Sequence, residues 1–297
     1  MDFLPNNIIT AIETASDELE NSNAYYGQGI DNPWDEAVQL VLHVMQLPLD
    51  SDRSISENPI NAEHWSKISK LLSQRIEKHI PVAYLIHEAW FMQKPFYVDE
   101  RVLIPRSPFG EWLTKRFEPY IKPEKIKRIL EIGTGSGCMS IGAAWQFPQA
   151  QVDAVDISPD ALAVAKINLE KYHLSDRINL IESDCFPKNK VIYDLIISNP
   201  PYVPESEYQD LPHEFYHEPK LALTAPQQGM QIVERILKNT PLHLSDDGVL
   251  VLEVGASIGI FKKQFPKLKI LELALEHGGN GLMLIRKADL IKFNSKP

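Results

Sequence analysis

Asn199-Pro200-Pro201-Tyr202 is the stretch whose residue types are most specific for chemistry. Two prolines fix the backbone and remove two N–H donors. The carbonyls of Asn199 and Pro200 stay available as acceptors, Asn199 adds a side-chain acceptor, and Tyr202 offers a flat aromatic face. Such a set suits an NH₂ group whose lone pair is delocalised into a carbonyl or an aromatic ring. Two acceptors aimed at its two protons favour the pyramidal geometry that develops as the nitrogen attacks. The aromatic face fixes the plane of the group so that the lone pair points in line at its target. The competing reading is a Pro-Pro turn with a packed tyrosine.

Upstream lies a second constellation. Gly133-Thr134-Gly135-Ser136-Gly137 follows Glu131-Ile132 and lets backbone N–H groups approach a ligand closely. A dinucleotide fingerprint spaces its glycines as G-x-G-x-x-G, and here Gly137 comes one position early. Asp156 stands about 20 residues further on, at the predicted end of a strand, where an acid can accept the hydroxyls of a ribose. Ser183-Asp184-Cys185 follows the next strand, and Asp184 can accept from an adenine amino group or be an exposed loop acid. Loop and acid together suggest a nucleoside cofactor, with a nicotinamide cofactor still open.

These residues need a scaffold. From Lys127 onward the pattern alternates strand and helix: strands over Arg128 to Ile132, Gln151 to Asp156, Arg177 to Ile181, Tyr193 to Ser198 and Val249 to Val254, with helices over Cys138 to Phe147, Ser158 to Tyr172 and Gln231 to Lys238. Ile270 to Leu275 and Gly281 to Arg286 read as a closing pair of strands, antiparallel because the link is short. This alternation predicts an α/β fold with a doubly wound, mostly parallel sheet. Ahead of it, Ile8 to Leu19, Glu36 to Met45 and about Ala62 to His79 carry apolar residues at helical spacing, with Asn32 as a cap and Pro33 in the first turn of the second helix. Trp90-Phe91 and Phe96-Tyr97-Val98 around Gln93-Lys94-Pro95 read as a hairpin. The expected organisation is a helical domain over 1–82, a hairpin linker over 83–106 and an α/β domain over 107–297.

Charge is unevenly distributed. The net charge is −10. Ten of the 40 acids fall in residues 1 to 52, which hold no lysine or arginine, so the other thirty acids face all 30 bases. The first part of the chain therefore carries the whole imbalance, a field that repels nucleic-acid phosphate and attracts basic proteins, or that serves solubility alone. No stretch has the roughly 20 apolar residues of a membrane span, and Met1 to Thr10 lacks the basic start of a signal peptide. Cys138 and Cys185 read as reduced thiols of a cytosolic protein, and no His/Cys cluster has zinc spacing, so no metal is expected.

Taken together, the Gly133 to Gly137 loop, Asp156, Ser183-Asp184, Asn199-Pro200-Pro201-Tyr202 and Leu103-Ile104-Pro105-Arg106 resemble the protein-glutamine methyltransferases, over nearly the whole chain. The Tyr26-Gly27 to Ala37 stretch, Pro81-Val82-Ala83-Tyr84-Leu85 and Arg106-Ser107-Pro108-Phe109-Gly110-Glu111 are similar to the branch acting on large-subunit ribosomal protein number three. The release-factor branch continues Pro-acid-Thr-Glu after the arginine, and this chain departs from that. The resemblance implies a seven-stranded, Rossmann-like domain that uses S-adenosylmethionine (SAM). Gly133, Thr134, Gly135, Ser136 and Gly137 would bind its methionine moiety, Asp156 its ribose with Ile157 alongside, and Asp184 with Cys185 its adenine. Asn199 would border cofactor and substrate. Asn199, Pro200, Pro201 and Tyr202 would hold the glutamine amide, and Arg106 would shape the entrance or form a structural ion pair. A basic ribosomal protein is the implied partner, with no direct nucleic-acid recognition and a cytoplasmic location. Two rivals stand beside this. A nucleic-acid adenine methyltransferase needs phosphate contacts, yet the chain has no basic run. A non-catalytic SAM-binding or ribosome-assembly factor would not require the Asn199 motif.

Overall fold

In a computed structural model the chain is described over residues 4–295. Met1 to Phe3, part of the stretch read for a signal peptide, and residues 296–297 lie outside the described residues. The described chain forms two units. One comprises residues 4–89 together with Pro212–His217, and the other Trp90–Leu211 with Glu218 onward.

In the first unit, α1 (Ile8–Glu20) and α2 (Pro33–Val44) start where capping chemistry dictates. Asn7 closes a capping box with Thr10, and the Asn32 side chain accepts from the Asp35 N–H at 2.8 Å. α3 (Ala62–Glu77) is capped by Asn61. α4 (Val82–Ile86), which the helical periodicity did not reveal, is a single short turn after Pro81. Ile8, Ala11, Ile12, Ala15 and Leu19 of α1 pack with Leu40 and Val41 of α2 and with Ile68 and Leu72 of α3. This leaves Glu13, Asp17, Glu18 and Glu20 along the exposed face of α1.

Arg75 of α3 is wholly buried in this unit. Its guanidinium donates to Glu36 at 2.7 Å, to Glu214 at 2.8 Å and to the Tyr25 carbonyl at 2.7 Å, and it lies over the Tyr26 ring at 5.5 Å. The Tyr25 N–H donates to Glu214 as well, at 2.8 Å. One buried cation thus pins Pro212–His217, more than a hundred residues away in sequence, to the helices of the first unit.

The second unit opens with a hairpin of β1 (Glu88–Phe91) and β2 (Lys94–Tyr97). The turn is Met92-Gln93, both in left-handed conformation, instead of the predicted Gln93-Lys94-Pro95. A two-residue turn with positive φ at both positions matches the twist of the flanking strands, so Lys94 and Pro95 enter β2. After α5 (Phe109–Thr114) come β3 (Arg128–Ile132), α6 (Cys138–Gln146), β4 (Gln151–Asp156), α7 (Pro159–Lys171), β5 (Ile178–Glu182) and β6 (Tyr193–Ser198). A small parallel pair, β7 (Val203–Pro204) and β8 (Thr224–Ala225), brackets α8 (Lys220–Leu223). The chain continues through α9 (Gln231–Asn239), β9 (Leu244–Glu253), α10 (Ile258–Gln264), β10 (Leu271–Glu272) and β11 (Leu282–Arg286), and closes with α11 (Lys287–Asn294).

The main sheet has seven strands in the order β10-β11-β9-β6-β3-β4-β5. β5, β4, β3, β6 and β9 run parallel, and β11 is antiparallel to both β9 and β10. The expected doubly wound sheet and antiparallel closing pair are both present. The strand predicted over Ile270 to Leu275 shrinks to Leu271–Glu272, and the chain ends in α11, which no pattern foretold because only Leu290 of that helix is buried. Alternate residues of each strand feed two cores. Ile129, Val152, Leu195, Ile197 and Val251 face α5 and α6, whereas Leu130, Val155, Ile196 and Leu250 face α9, α10 and α11. Coverage on both sides explains the continuous apolar runs Leu195-Ile196-Ile197 of β6 and Val249-Leu250-Val251-Leu252 of β9.

Removing Arg75 alone strands two buried carboxylates. Arg75→Met is expected to lower the unfolding free energy by about 3–5 kcal/mol, read from urea unfolding followed by Trp34 and Trp65 fluorescence. A loss under about 1 kcal/mol would mean that Glu36 and Glu214 rehydrate freely.

Candidate active site

β3 continues through α6 to β4, then through α7 to β5, moving outward on one side, and the chain returns to place β6 on the other side of β3. Strand order therefore reverses between β3 and β6, and the loops after them diverge to leave a crevice at the carboxyl edge of the sheet. The pair is held in register, Ile132 opposite Ser198, and the Ser198 hydroxyl donates to the Ile132 carbonyl at 2.9 Å.

A cavity of about 320 Å³ occupies this crevice. Gly133, Gly135, Asp156, Ile157, Asp184, Cys185, Asn199, Pro200 and Pro201 all line it, so residues spread over nearly seventy positions converge on one space. Gly133 and Gly135 have positive φ, and a side chain at either would meet no protein atom within 4 Å. Their backbones face open space, a cradle left for a ligand. Thr134, Ser136 and Gly137 lie behind it. Thr134 and Ser136 are buried, and a Cβ on Gly137 would press Ala165 of α7 at 3.2 Å. Those three residues seat the loop, whereas Gly133 and Gly135 face the cavity.

The loop is held from several sides. The N–H groups of Gly133 and Thr134 donate to the Val155 carbonyl at 2.8 and 2.9 Å. Asp156 accepts from the N–H of Gly135 at 2.9 Å and from that of Ser158 at 3.0 Å, one bond to each carboxylate oxygen. Each oxygen keeps a further lone pair for a hydroxyl. Burial raises the Asp156 carboxyl above its ordinary range, against the lowering effect of those N–H groups. Asn168 of α7, fully buried and not singled out by its sequence, donates to the carbonyls of Ser136 and Tyr97, both at 2.9 Å, and ties the loop to β2.

Glu131, inside β3, accepts from the Thr134 hydroxyl at 2.6 Å and from the Ser140 hydroxyl. Burial lifts its carboxyl to about 8, although both hydroxyls favour the charged form. Elsewhere on the cavity wall, Asp184 pairs with Arg235 of α9 at 2.6 Å, which holds the Asp184 carboxyl below the usual range. Arg235 lines the cavity, and no sequence signal marked it, because an arginine on an amphipathic helix looks like an ordinary solvated charge. Burial raises the Cys185 and Cys138 thiols to about 11 and about 12, so neither is a ready thiolate.

Tyr202 and Arg106 are placed differently from the rest. Tyr202 is absent from the cavity wall. Its hydroxyl points to Glu253 at the end of β9, at 3.4 Å, and its carbonyl accepts from the Ser257 hydroxyl at 2.9 Å. Glu253 is 3% exposed, also accepts from the Ser107 hydroxyl, and is raised by burial to about 7. Arg106 grips Glu218 with two bonds of 2.5 and 2.9 Å, and Glu218 also accepts from the Ile104 N–H at 3.0 Å. Arg106, like Tyr202, is absent from the cavity wall, whereas Arg101, braced by Asp99, lines it. Among the described residues no group of three or more His, Cys, Asp or Glu is placed to hold a metal ion, and no helix is long and apolar enough to cross a membrane.

The glycine cradle, the strand-end acid and the acceptor-rich Asn199-Pro200 edge define a class: an α/β methyltransferase with its crevice at the reversal of strand order. The model of the small methyltransferase domain matches residues 114–228. The ribosomal protein uL3 glutamine methyltransferase of Burkholderia pseudomallei is 41% identical over 94% of this chain and 94% of its own, and that of Bordetella pertussis is 41% identical with the same shares. The chain belongs to this family of protein-glutamine methyltransferases. A methyltransferase structure from Pyrococcus furiosus is similar at 18% identity over 65% of this chain and 88% of that one, with a TM-score of 0.48.

Glu131 supplies a pH-dependent prediction. Its folded value, about 8, stands above the ordinary 4.5. The stability it contributes is thus present below about pH 4.5 and is lost as the pH rises to about 8. Glu131→Gln keeps the shape and removes the titration. Relative to wild type it is expected to gain on the order of 3 kcal/mol between about pH 5 and about pH 9, in denaturant unfolding without cofactor. A constant gap between the two proteins would show that Glu131 is ionised throughout.

Proposed function

We propose that the protein transfers a methyl group from SAM to the side-chain amide nitrogen of a glutamine in ribosomal protein uL3. The observation that carries this reading is the shared cavity: the open glycine cradle after β3 and the Asn199-Pro200 edge after β6 face one space.

The residues present fit the cofactor. Gly133 and Gly135 leave backbone exposed for the methionine end, Asp156 has lone pairs for the ribose hydroxyls, and Ile157, Asp184 and Cys185 form the wall for adenine. When bound, SAM supplies a methyl group already activated on a sulfonium, so no strong base is needed at the site. Asn199 Oδ1 and the Pro200 carbonyl accept from the two amide N–H bonds, hold the nitrogen and favour its pyramidal form. Pro201 keeps that edge rigid, and Tyr202 anchors it from behind. As the nitrogen gains the methyl group, one of its protons passes to water.

Partner choice follows from charge. The exposed acids of α1, Glu13, Asp17, Glu18 and Glu20, suit docking of a basic ribosomal protein and oppose direct binding of nucleic acid. A ribosomal substrate and two free thiols support a cytoplasmic location.

Purified protein with SAM is expected to add one methyl mass to a glutamine of uL3, and none to a release factor or to adenine-containing DNA, by peptide mass spectrometry. Gain on the release factor would move the substrate, and gain on DNA would overturn the glutamine reading. Asn199→Ala should lower kcat by about 10²–10³-fold. Wild-type turnover in that variant would remove Asn199 from the chemistry.

Neutralising Glu13, Asp17 and Glu18 to Gln, Asn and Gln should raise the KM for uL3 about 3- to 10-fold at low salt, and the difference should fade as salt rises. An unchanged KM at low salt would exclude α1 from recruitment.

A further inference from the structure

Two prolines give Asn199-Pro200-Pro201 a stiff backbone, and they also deprive it of N–H donors that would tie it to its surroundings. Its orientation must therefore be set at an end. At the β6 end the register with β3 fixes Ser198. At the other end stands Tyr202, half-buried, with backbone passing close to both its ring and its carbonyl.

Gly255, at φ +47°, lies so close that a Cβ there would stand 2.6 Å from the Tyr202 hydroxyl oxygen and 2.8 Å from Cζ. Gly229, at φ +82°, passes the Tyr202 carbonyl so tightly that a Cβ would stand 2.0 Å from its oxygen. Gly281 backs Gly255 in turn, 2.3 Å from a Cβ to the Gly255 carbonyl oxygen. Gly255 thus makes room for the ring and Gly229 for its backbone, with Gly281 making room for Gly255. In the remaining space sits a buried carboxyl, Glu253, whose two oxygens meet two hydroxyls, those of Tyr202 and Ser107. Ser107 is itself held, since its oxygen accepts from the Phe109 N–H at 3.1 Å. An apolar residue would fill this space without the cost of desolvating an acid. A carboxyl instead gives each of the two hydroxyls an acceptor, one oxygen to each, which links Ser107 to Tyr202 through one buried group.

We propose that Glu253 is a positioning residue for methyl transfer: clamped by Ser107, it fixes the Tyr202 ring and thereby aims the Asn199 and Pro200 acceptors into the cavity. This deepens the glutamine-methyltransferase reading and rests on it. Glu253 does not line the cavity. Its contribution is orientation, so it acts on kcat and leaves the affinity for the cofactor alone. Ser107 belongs to the Arg106 to Glu111 stretch, which gives that stretch a structural task at the site.

The test compares full-length wild type, Glu253→Ala, Glu253→Gln, Tyr202→Phe and Ser107→Ala for kcat and KM on uL3, with S-adenosylhomocysteine affinity by calorimetry. Glu253→Ala should lower kcat about 10- to 100-fold while KM and the S-adenosylhomocysteine Kd stay within about 3-fold. Glu253→Gln presents one acceptor and one donor to two hydroxyls that can serve either way, and should recover kcat to within about 5-fold of wild type. If Glu253→Ala does not fold, Tyr202→Phe and Ser107→Ala each delete one bond of the clamp and should each lower kcat about 3- to 10-fold. Near-wild-type kcat in Glu253→Ala, or in both hydroxyl variants, overturns the proposal. So does a Gln variant as impaired as the Ala variant, which would mean that charge and not orientation matters.

A wild type without turnover on uL3 is a failure of the substrate reading, not of this one. Positioning is then judged from the ¹³C-labelled Tyr202 ring signal, assigned by its loss in Tyr202→Phe. A Tyr202 Cζ shift that moves in Glu253→Ala and is kept in Glu253→Gln upholds the hydroxyl–carboxyl clamp, and a shift unchanged in Glu253→Ala overturns it.

Discussion

The pairing of β3 with β6 is the constraint on which the site depends. The two strands are distant in sequence, and the loops after β3, β4, β5 and β6 that line the cavity are placed by which side of this pair their strands join. Ile132 opposite Ser198 brings the last residue of each strand to the same level. The loops that follow, one rich in glycine and one rich in proline, then rise side by side. A shift of one residue in this register would turn the inward side chains of β6 to the opposite face and carry Asn199 away from the cradle.

Around that pair, the loops are fixed largely by carboxyls that are buried or, at Asp156, half-buried. Glu131 holds Thr134 and Ser140, Asp156 holds Gly135 and Ser158, Glu218 holds Arg106 and Ile104, and Glu253 holds Ser107 and Tyr202. In the first unit Glu214 does the same for Arg75 and Tyr25. Burying a carboxyl costs free energy unless its oxygens are satisfied. Once they are, the group resists any displacement of its partners, because motion would leave it unsatisfied. Loops at the carboxyl edge of a sheet lack ladder hydrogen bonds, and these acids supply the order that the ladder cannot.

The two walls of the cavity differ in kind. The side built from Gly133, Gly135 and Asp156 offers backbone and a carboxylate, which under the proposed function would take the hydroxyls and amine of the cofactor. The side built from Asn199, Pro200 and Pro201 offers carbonyl oxygens, with no N–H on either proline, and would suit a group that donates. An amide NH₂ is such a group. The pairing of Asp184 with Arg235 adds a charged rim beside Asp156 and Ile157 in the cavity lining.

Local sequence determined much of this. Strand and helix alternation after Lys127, the caps at Asn32 and Ser158, the glycine loop, Asp156 and the Asn199 motif were all legible, because each depends on residue type and spacing within a few positions. What the sequence left open were contacts between distant residues. Nothing near Arg75 announces Glu214, nothing near Asn168 announces Ser136, and nothing near Glu253 announces Tyr202. α11 and α4 were hidden too, since a helix that buries one residue or spans one turn leaves no periodic trace. Tyr202 and Arg106 show the difference most clearly. Their chemistry was read from their types, but where their side chains point was decided by Glu253 and Glu218, which only the folded sheet brings beside them.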